Sequence, residues 1–74
     1  MDVIQLQKEL KKKLENRTDL KVMGYLDTPN ELCLCVSEKI FPYATIHAIM
    51  SIDNFLCLEA GDNYTKIIFK KSGL

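Results

Sequence analysis

Residues 38–53 read EKIFPYATIHAIMSID, and the secondary structure of this stretch decides the fold. Pro42 suits the first position of a helix over Tyr43 to Met50, where its missing N–H is not needed. Ile46, Ala48, Met50 and Ile52 also alternate with His47, Ile49 and Ser51, which is the period of a strand. Thr45, Ile46, Ile49 and Ile52 are β-branched, and on that ground a strand is expected. The expected fold is α+β, with an N-terminal amphipathic helix packed on a small antiparallel sheet or partial barrel of about five strands. The helical reading gives the alternative order αββαββ.

On either side of this stretch lie two hairpin signals. Leu20 to Leu26 and Glu31 to Ser37 are β-compatible runs joined by the turn Asp27-Thr28-Pro29-Asn30. Asn54 to Ala60 and Tyr64 to Lys71 flank Gly61-Asp62-Asn63, where Gly61 and Asn63 tolerate positive φ. Alternation sets Leu32, Leu34 and Val36 against Cys33 and Cys35, and Phe55 and Cys57 against Leu56 and Leu58. Both faces of the sheet are therefore apolar. One helix covers one face, so the other is expected to curl into a barrel or to meet another subunit.

That helix spans residues 2–16. Val3, Leu6, Leu10, Leu14 and Arg17 recur at spacings of three and four. Asp2 is placed to cap its start, and Gln5 completes a capping-box pattern. Glu9 and Lys13 have the favourable i,i+4 order. The polar run Asn16 to Asp19 is expected to end it.

The chain has 74 residues, 47% apolar and 27% charged, which is ordinary globular composition for one domain over 1–74 and argues against disorder. The length excludes large catalytic scaffolds. A chain this short buries only about 60% of its unfolded surface, so help from a partner is expected. Net charge is zero, which argues against a dedicated duplex-DNA binder. Its distribution is uneven: residues 1–26 sum to +2, residues 27–62 to −5 and residues 63–74 to +3. Cys33, Cys35 and Cys57 are odd in number and form no CxxC, unlike a secreted disulfide scaffold. Gln5, Gln7, Lys8 and Glu9 interrupt any N-terminal signal core, and no apolar run is long enough for a membrane. The cytoplasm is the expected compartment.

Few residues suggest chemistry. Cys33, Cys35, Cys57 and His47 are zinc-ligand types, but their spacing matches no zinc knuckle, and free cysteines in apolar runs pack as small hydrophobes. Such surroundings raise a thiol pKa, which weakens a Cys–His nucleophile. The carboxylates are scattered, and no phosphate-binding glycine motif occurs. No enzyme activity, metal or cofactor is expected. Lys8, Lys11, Lys12 and Lys13 cluster on outward helix faces, where solvation alone explains them, or contact with phosphates or an acidic patch. Lys66 and Lys70 share a strand face with Tyr64 and Ile68. Basic groups beside an aromatic suit single-stranded nucleic acid, and lysines protecting an edge strand explain the same residues without a ligand.

Two short segments resemble known families. Residues 48–58, AIMSIDNFLCL, resemble the middle strands of Sm-like and Hfq-like proteins, where I-x-S-x-D-x-F-x-x-L passes from one bent strand to the next. This resemblance covers eleven residues and implies a ring-forming RNA binder with Asp53 and Phe55 near the RNA-facing loop. The family glycine near position 47 or 48 is absent, Tyr64 to Leu74 ends where the family pattern expects a final strand, and segment 20–30 is surplus. Residues 58–67, LEAGDNYTKI, are similar to one hairpin of LytTR DNA-binding domains, without the rest of that domain.

The expected function is that of a small non-enzymatic regulator, inhibitor or adaptor acting by protein–protein binding. An inhibitor encoded by a phage or mobile element is one concrete form. The alternative is an Sm-like RNA-binding ring. A protein partner is expected, with a homodimer or higher homo-oligomer as a further expectation, RNA under the alternative, and no membrane. The expected contact residues are Phe41, Tyr43, Phe55 and Tyr64 on a second sheet face, Lys8, Lys11 and Lys12 on the helix, and Lys66 and Lys70.

Overall fold

In a computed structural model describing residues 2–71, the order is α1 (Val3–Arg17), β1 (Gly24–Asp27), β2 (Glu31–Val36), α2 (Tyr43–Met50), β3 (Phe55–Ala60) and β4 (Thr65–Lys70). The four strands form one antiparallel sheet in the order β1-β2-β4-β3. The sheet is open, with β2 and β4 central and β1 and β3 at the edges. The class is α+β as expected, but the five strands and the partial barrel are not found, and the order is αββαββ. The α-β-β order occurs twice, and the two units meet where β2 pairs antiparallel with β4.

Residues 43–50 are a helix and not the expected strand. The Pro42 carbonyl accepts from Thr45 N (3.0 Å) and Ile46 N (3.1 Å), which starts the first turn. Burial matches the helical spacing. Ile49 and Ile52 are 0% and 3% exposed, whereas Met50, which strand alternation groups with Ile52, is 60% exposed. The physical reason lies in coverage. Four strands about 4.8 Å apart outspan one helix of about 10 Å diameter. A second helix closes the same face, and that burial outweighs the β propensity of three isoleucines.

Both helices contribute to one core. Leu6, Leu10 and Leu14 of α1, Ile49 of α2 and Ile52 just after it pack with Leu32, Leu34, Val36, Ile67 and Phe69 of the central strands. Asp2 caps α1 by accepting from Gln5 N at 2.8 Å. The Gln5 side chain does not return the bond but donates to Glu9 at 3.5 Å. Thr18 ends the helix, its N–H and hydroxyl both donating to the Leu14 carbonyl. Val22 N donates to the Glu15 carboxylate (2.9 Å) and Leu20 is buried in the core, so this segment lies against α1 and β1 starts only at Gly24, later than expected.

Two local irregularities set the face of β3. A register shift between Phe55 and Cys57 inserts a bulge, which turns both Phe55 and Leu58 toward the helices. Simple alternation puts them on opposite faces. Asn54, at φ 69°, is the positive-φ residue other than glycine among those described, and it makes the corner from α2 into β3. Asn63 does not need that conformation. Gly61 matters for space: a Cβ there would lie 2.5 Å from the Tyr64 ring.

Candidate protein-binding surface

Helix α2, YATIHAIM, has no charged side chain on any side. A helix with no Asp, Glu, Lys or Arg is normally covered over much of its surface, yet only one side of α2 is covered. Ile49 faces the core, while Tyr43 (76% exposed), His47 and Met50 (60%) face outward. Spacings of four and three place these three on one ridge. The Tyr43 and His47 rings meet edge-on, with centroids 4.5 Å apart. Ile40, just before the helix, is 90% exposed.

Beside α2, the exposed side of α1 is basic. Lys8, Lys11, Lys12, Lys13 and Arg17 are exposed, and Lys8 and Lys12 lie opposite the Leu6-Leu10-Leu14 stripe. The helix's own carboxylates are half-buried and engaged, Glu9 with Gln5 and Glu15 with Val22 N. The expected Glu9–Lys13 ion pair is absent among the described residues, whose ion pairs are Lys66–Glu59 and Lys71–Asp27. Arg17 donates to Ser51 Oγ (3.0 Å), which donates to the Ala48 carbonyl (2.7 Å), so the end of α1 is tied to the end of α2. Apolar ridge and basic face thus share one helical layer.

The other expected contact residues are dispersed. Phe41 and Phe55 pack against the core on the helix-covered side, so they do not belong to a second sheet face. Phe55 meets Phe69 edge-on at 6.1 Å. Tyr64 is half-buried at the β3–β4 turn against Gly61. Lys66 and Lys70 sit on β4, a central strand, so edge protection does not explain them. Lys66 bonds Glu59 at 3.4 Å, which pushes its pKa up. Lys71 holds Asp27 and the Thr28 carbonyl and so braces the first hairpin. Ile40, His47 and Met50 are not among the contact residues expected from sequence. The available signal was the absence of any charged residue from 40 to 52, which becomes informative once 43–50 is a helix.

The uncovered sheet face is less open than its apolar content suggests. Leu26, Cys33, Ile68 and Cys57 form one cross-strand row, with Gly24, Cys35, Lys66 and Glu59 in the next. Cys33 and Ile68 are only 5% and 6% exposed without any partner. The Lys66 side chain, 25% exposed, lies low over this face. Burial pushes the Cys33 and Cys35 thiols up from 9.0. Glu31 adds to the effect at Cys33, and Lys66 opposes it at both. At pH 8, iodoacetamide should therefore modify exposed Cys57 first and Cys33 last, read by intact mass and peptide mapping. Equal rates at all three thiols would contradict this shielding. Because the folded thiols hold their protons more tightly, their contribution to stability is full below pH 9 and declines as pH rises through the folded values.

Among the described residues, no group of three His, Cys, Asp or Glu side chains is placed to hold a metal ion, and no helix is long and apolar enough to cross a membrane. Residues 48–58 run from the end of α2 round the Asn54 corner into β3, not through two consecutive strands, which removes the geometry behind the Sm-like resemblance. Residues 58–67 do form a hairpin across β3 and β4. Compared with protein-family models, curated proteins and solved structures, the chain matches none.

Proposed function

We propose that this chain is a non-catalytic regulator, inhibitor or adaptor that binds another protein through its helical layer. The observation that carries the reading is the uncharged α2, whose outward ridge of Tyr43, His47 and Met50 is left in water beside exposed Ile40. Interfaces favour aromatic and Met anchors at the centre with a charged rim, and the α1 lysines supply such a rim. A basic rim and an apolar centre suit a partner surface that is apolar and fringed with carboxylates.

The test is site-specific photocrosslinking in the host cell. A photoreactive phenylalanine analogue replaces Tyr43, and a control carries it at Asp62 in the exposed β3–β4 turn. A single discrete protein adduct is expected from position 43 and none from position 62. Met50→Asp should weaken the purified complex at least tenfold, with an unchanged circular dichroism spectrum. Adducts of equal yield from both positions, or adducts to RNA alone, would remove the reading.

A further inference from the structure

We propose that two copies of this chain pair through the free edge of β3 about a two-fold axis at Glu59, joining their sheets into one. The two edges of the sheet differ. β1 has four residues, adjoins the Pro29 turn, and ends at Asp27, which Lys71 engages. Short length, proline and engaged charge are ordinary devices against edge pairing. β3 has six residues, FLCLEA, with a single charge and no proline or lysine. Its bulge lies at the Phe55–Cys57 end, so residues 58–60 keep regular pairing.

The ladder fixes which backbone groups are free. Gly61 N donates to Tyr64 O at 2.8 Å, so 61–64 is a hydrogen-bonded pair. In an antiparallel ladder such pairs alternate, which makes Glu59–Lys66 hydrogen-bonded and points the amides and carbonyls of Leu58 and Ala60 outward. A strand with outward groups at two such positions is complementary to itself. Turned about Glu59, Leu58 pairs with the second copy's Ala60 and Ala60 with its Leu58, without using the bulge.

Side chains fit the same register. Leu58 is only half-buried on the helix side, and Ala60 on that side is exposed. The pairing sets each Leu58 over the small Ala60 of the other copy. On the opposite face the two Glu59 carboxylates approach, but each is ion-paired with its own Lys66. The resulting row, Lys66-Glu59-Glu59-Lys66, carries no net charge. These features favour a second copy over a foreign strand, and the small contact makes the association weak and dependent on concentration.

The axis gives a direct test. Residues facing each other in a non-hydrogen-bonded pair have Cα atoms about 4.5 Å apart, within disulfide range. The chain carrying Glu59→Cys and Cys57→Ser should form a disulfide dimer nearly completely in a glutathione redox buffer at micromolar concentration. Adding Ala60→Pro, which deletes an outward N–H while sparing the β4 ladder, should slow that crosslinking at least tenfold. Ala60→Lys, which fills the space under Leu58, should do the same and serves if the proline variant does not fold. The unsubstituted chain should rise in mean mass toward a dimer as it is concentrated in sedimentation equilibrium. A Glu59→Cys chain that stays monomeric, or crosslinks equally fast with either Ala60 substitution, overturns the proposal.

Discussion

Ile49→Ala is expected to cost about 2–5 kcal/mol of folding free energy, and Met50→Ala, one residue further, less than about 0.5 kcal/mol. Ile49 is 0% exposed among Leu and Ile side chains of both layers, so truncating it leaves a cavity that the core closes only in part. Met50 faces water at 60% exposure and gives up almost no packing. A chain of this size has about 4–11 kcal/mol in total, so the first change takes a large share. Urea unfolding of both variants, at similar m-values, measures the difference. The pair also distinguishes helix from strand over 43–50. Strand alternation would bury Met50 beside Ile52 and make its truncation costly as well. Similar losses for the two would contradict helix α2.

This contrast also marks the boundary of what the sequence discloses. α1 is legible because Leu6, Leu10 and Leu14 repeat at a helical period and nothing competes with that pattern. Both hairpins are legible from their turns, since Pro29 and Gly61 interrupt clear β-compatible runs. Residues 43–50 are ambiguous because β-branched residues at 46, 49 and 52 satisfy both periods in part. The deciding factor is not local. The width of a four-stranded sheet demands a second helix, and that width is known only after the strands are counted. The same ambiguity inflates the strand number to five, while the expected barrel comes from the apolar residues on both sheet faces.

The surface residues divide along the same line. Lys8, Lys11 and Lys12 are placed on the outward side of α1 by sequence; Tyr43 is expected on a second sheet face and lies instead on α2, because 43–50 is a helix. Phe55 reads as a surface anchor only if alternation holds through β3. The bulge after Phe55 breaks it, and a one-residue insertion reverses the face of every later residue in the strand. Nothing in FLCLEA announces a bulge, so Phe55 and Leu58 can be assigned to one face only from the paired register. Lys66 and Lys70 look like edge protection because β4 comes last in the chain. Antiparallel pairing of β4 with β2 places it in the middle of the sheet.

The assignment of Phe55 to the core leads to a second large effect, at its neighbour. Phe69 is 0% exposed, lies opposite Leu32 on β2 and Phe55 on β3, and meets the Phe55 ring edge-on. Phe69→Ala should cost about 3–5 kcal/mol, enough to leave a substantial fraction unfolded at 25 °C if the chain sits at the low end of its size range. Phe55→Ala removes a half-buried ring. Its cost should be clearly smaller, and should include about 0.5–1.5 kcal/mol from the lost edge-on pair. In the double variant that pair term is counted once, so the two costs should add to more than the double variant loses. Thermal or urea unfolding of the two single variants and the double one gives this coupling directly. A surface anchor at Phe55 would give a negligible stability change and no coupling to Phe69. A measurable coupling would instead make Phe55 a wall of the core, at the edge where the helical layer leaves β3 half covered.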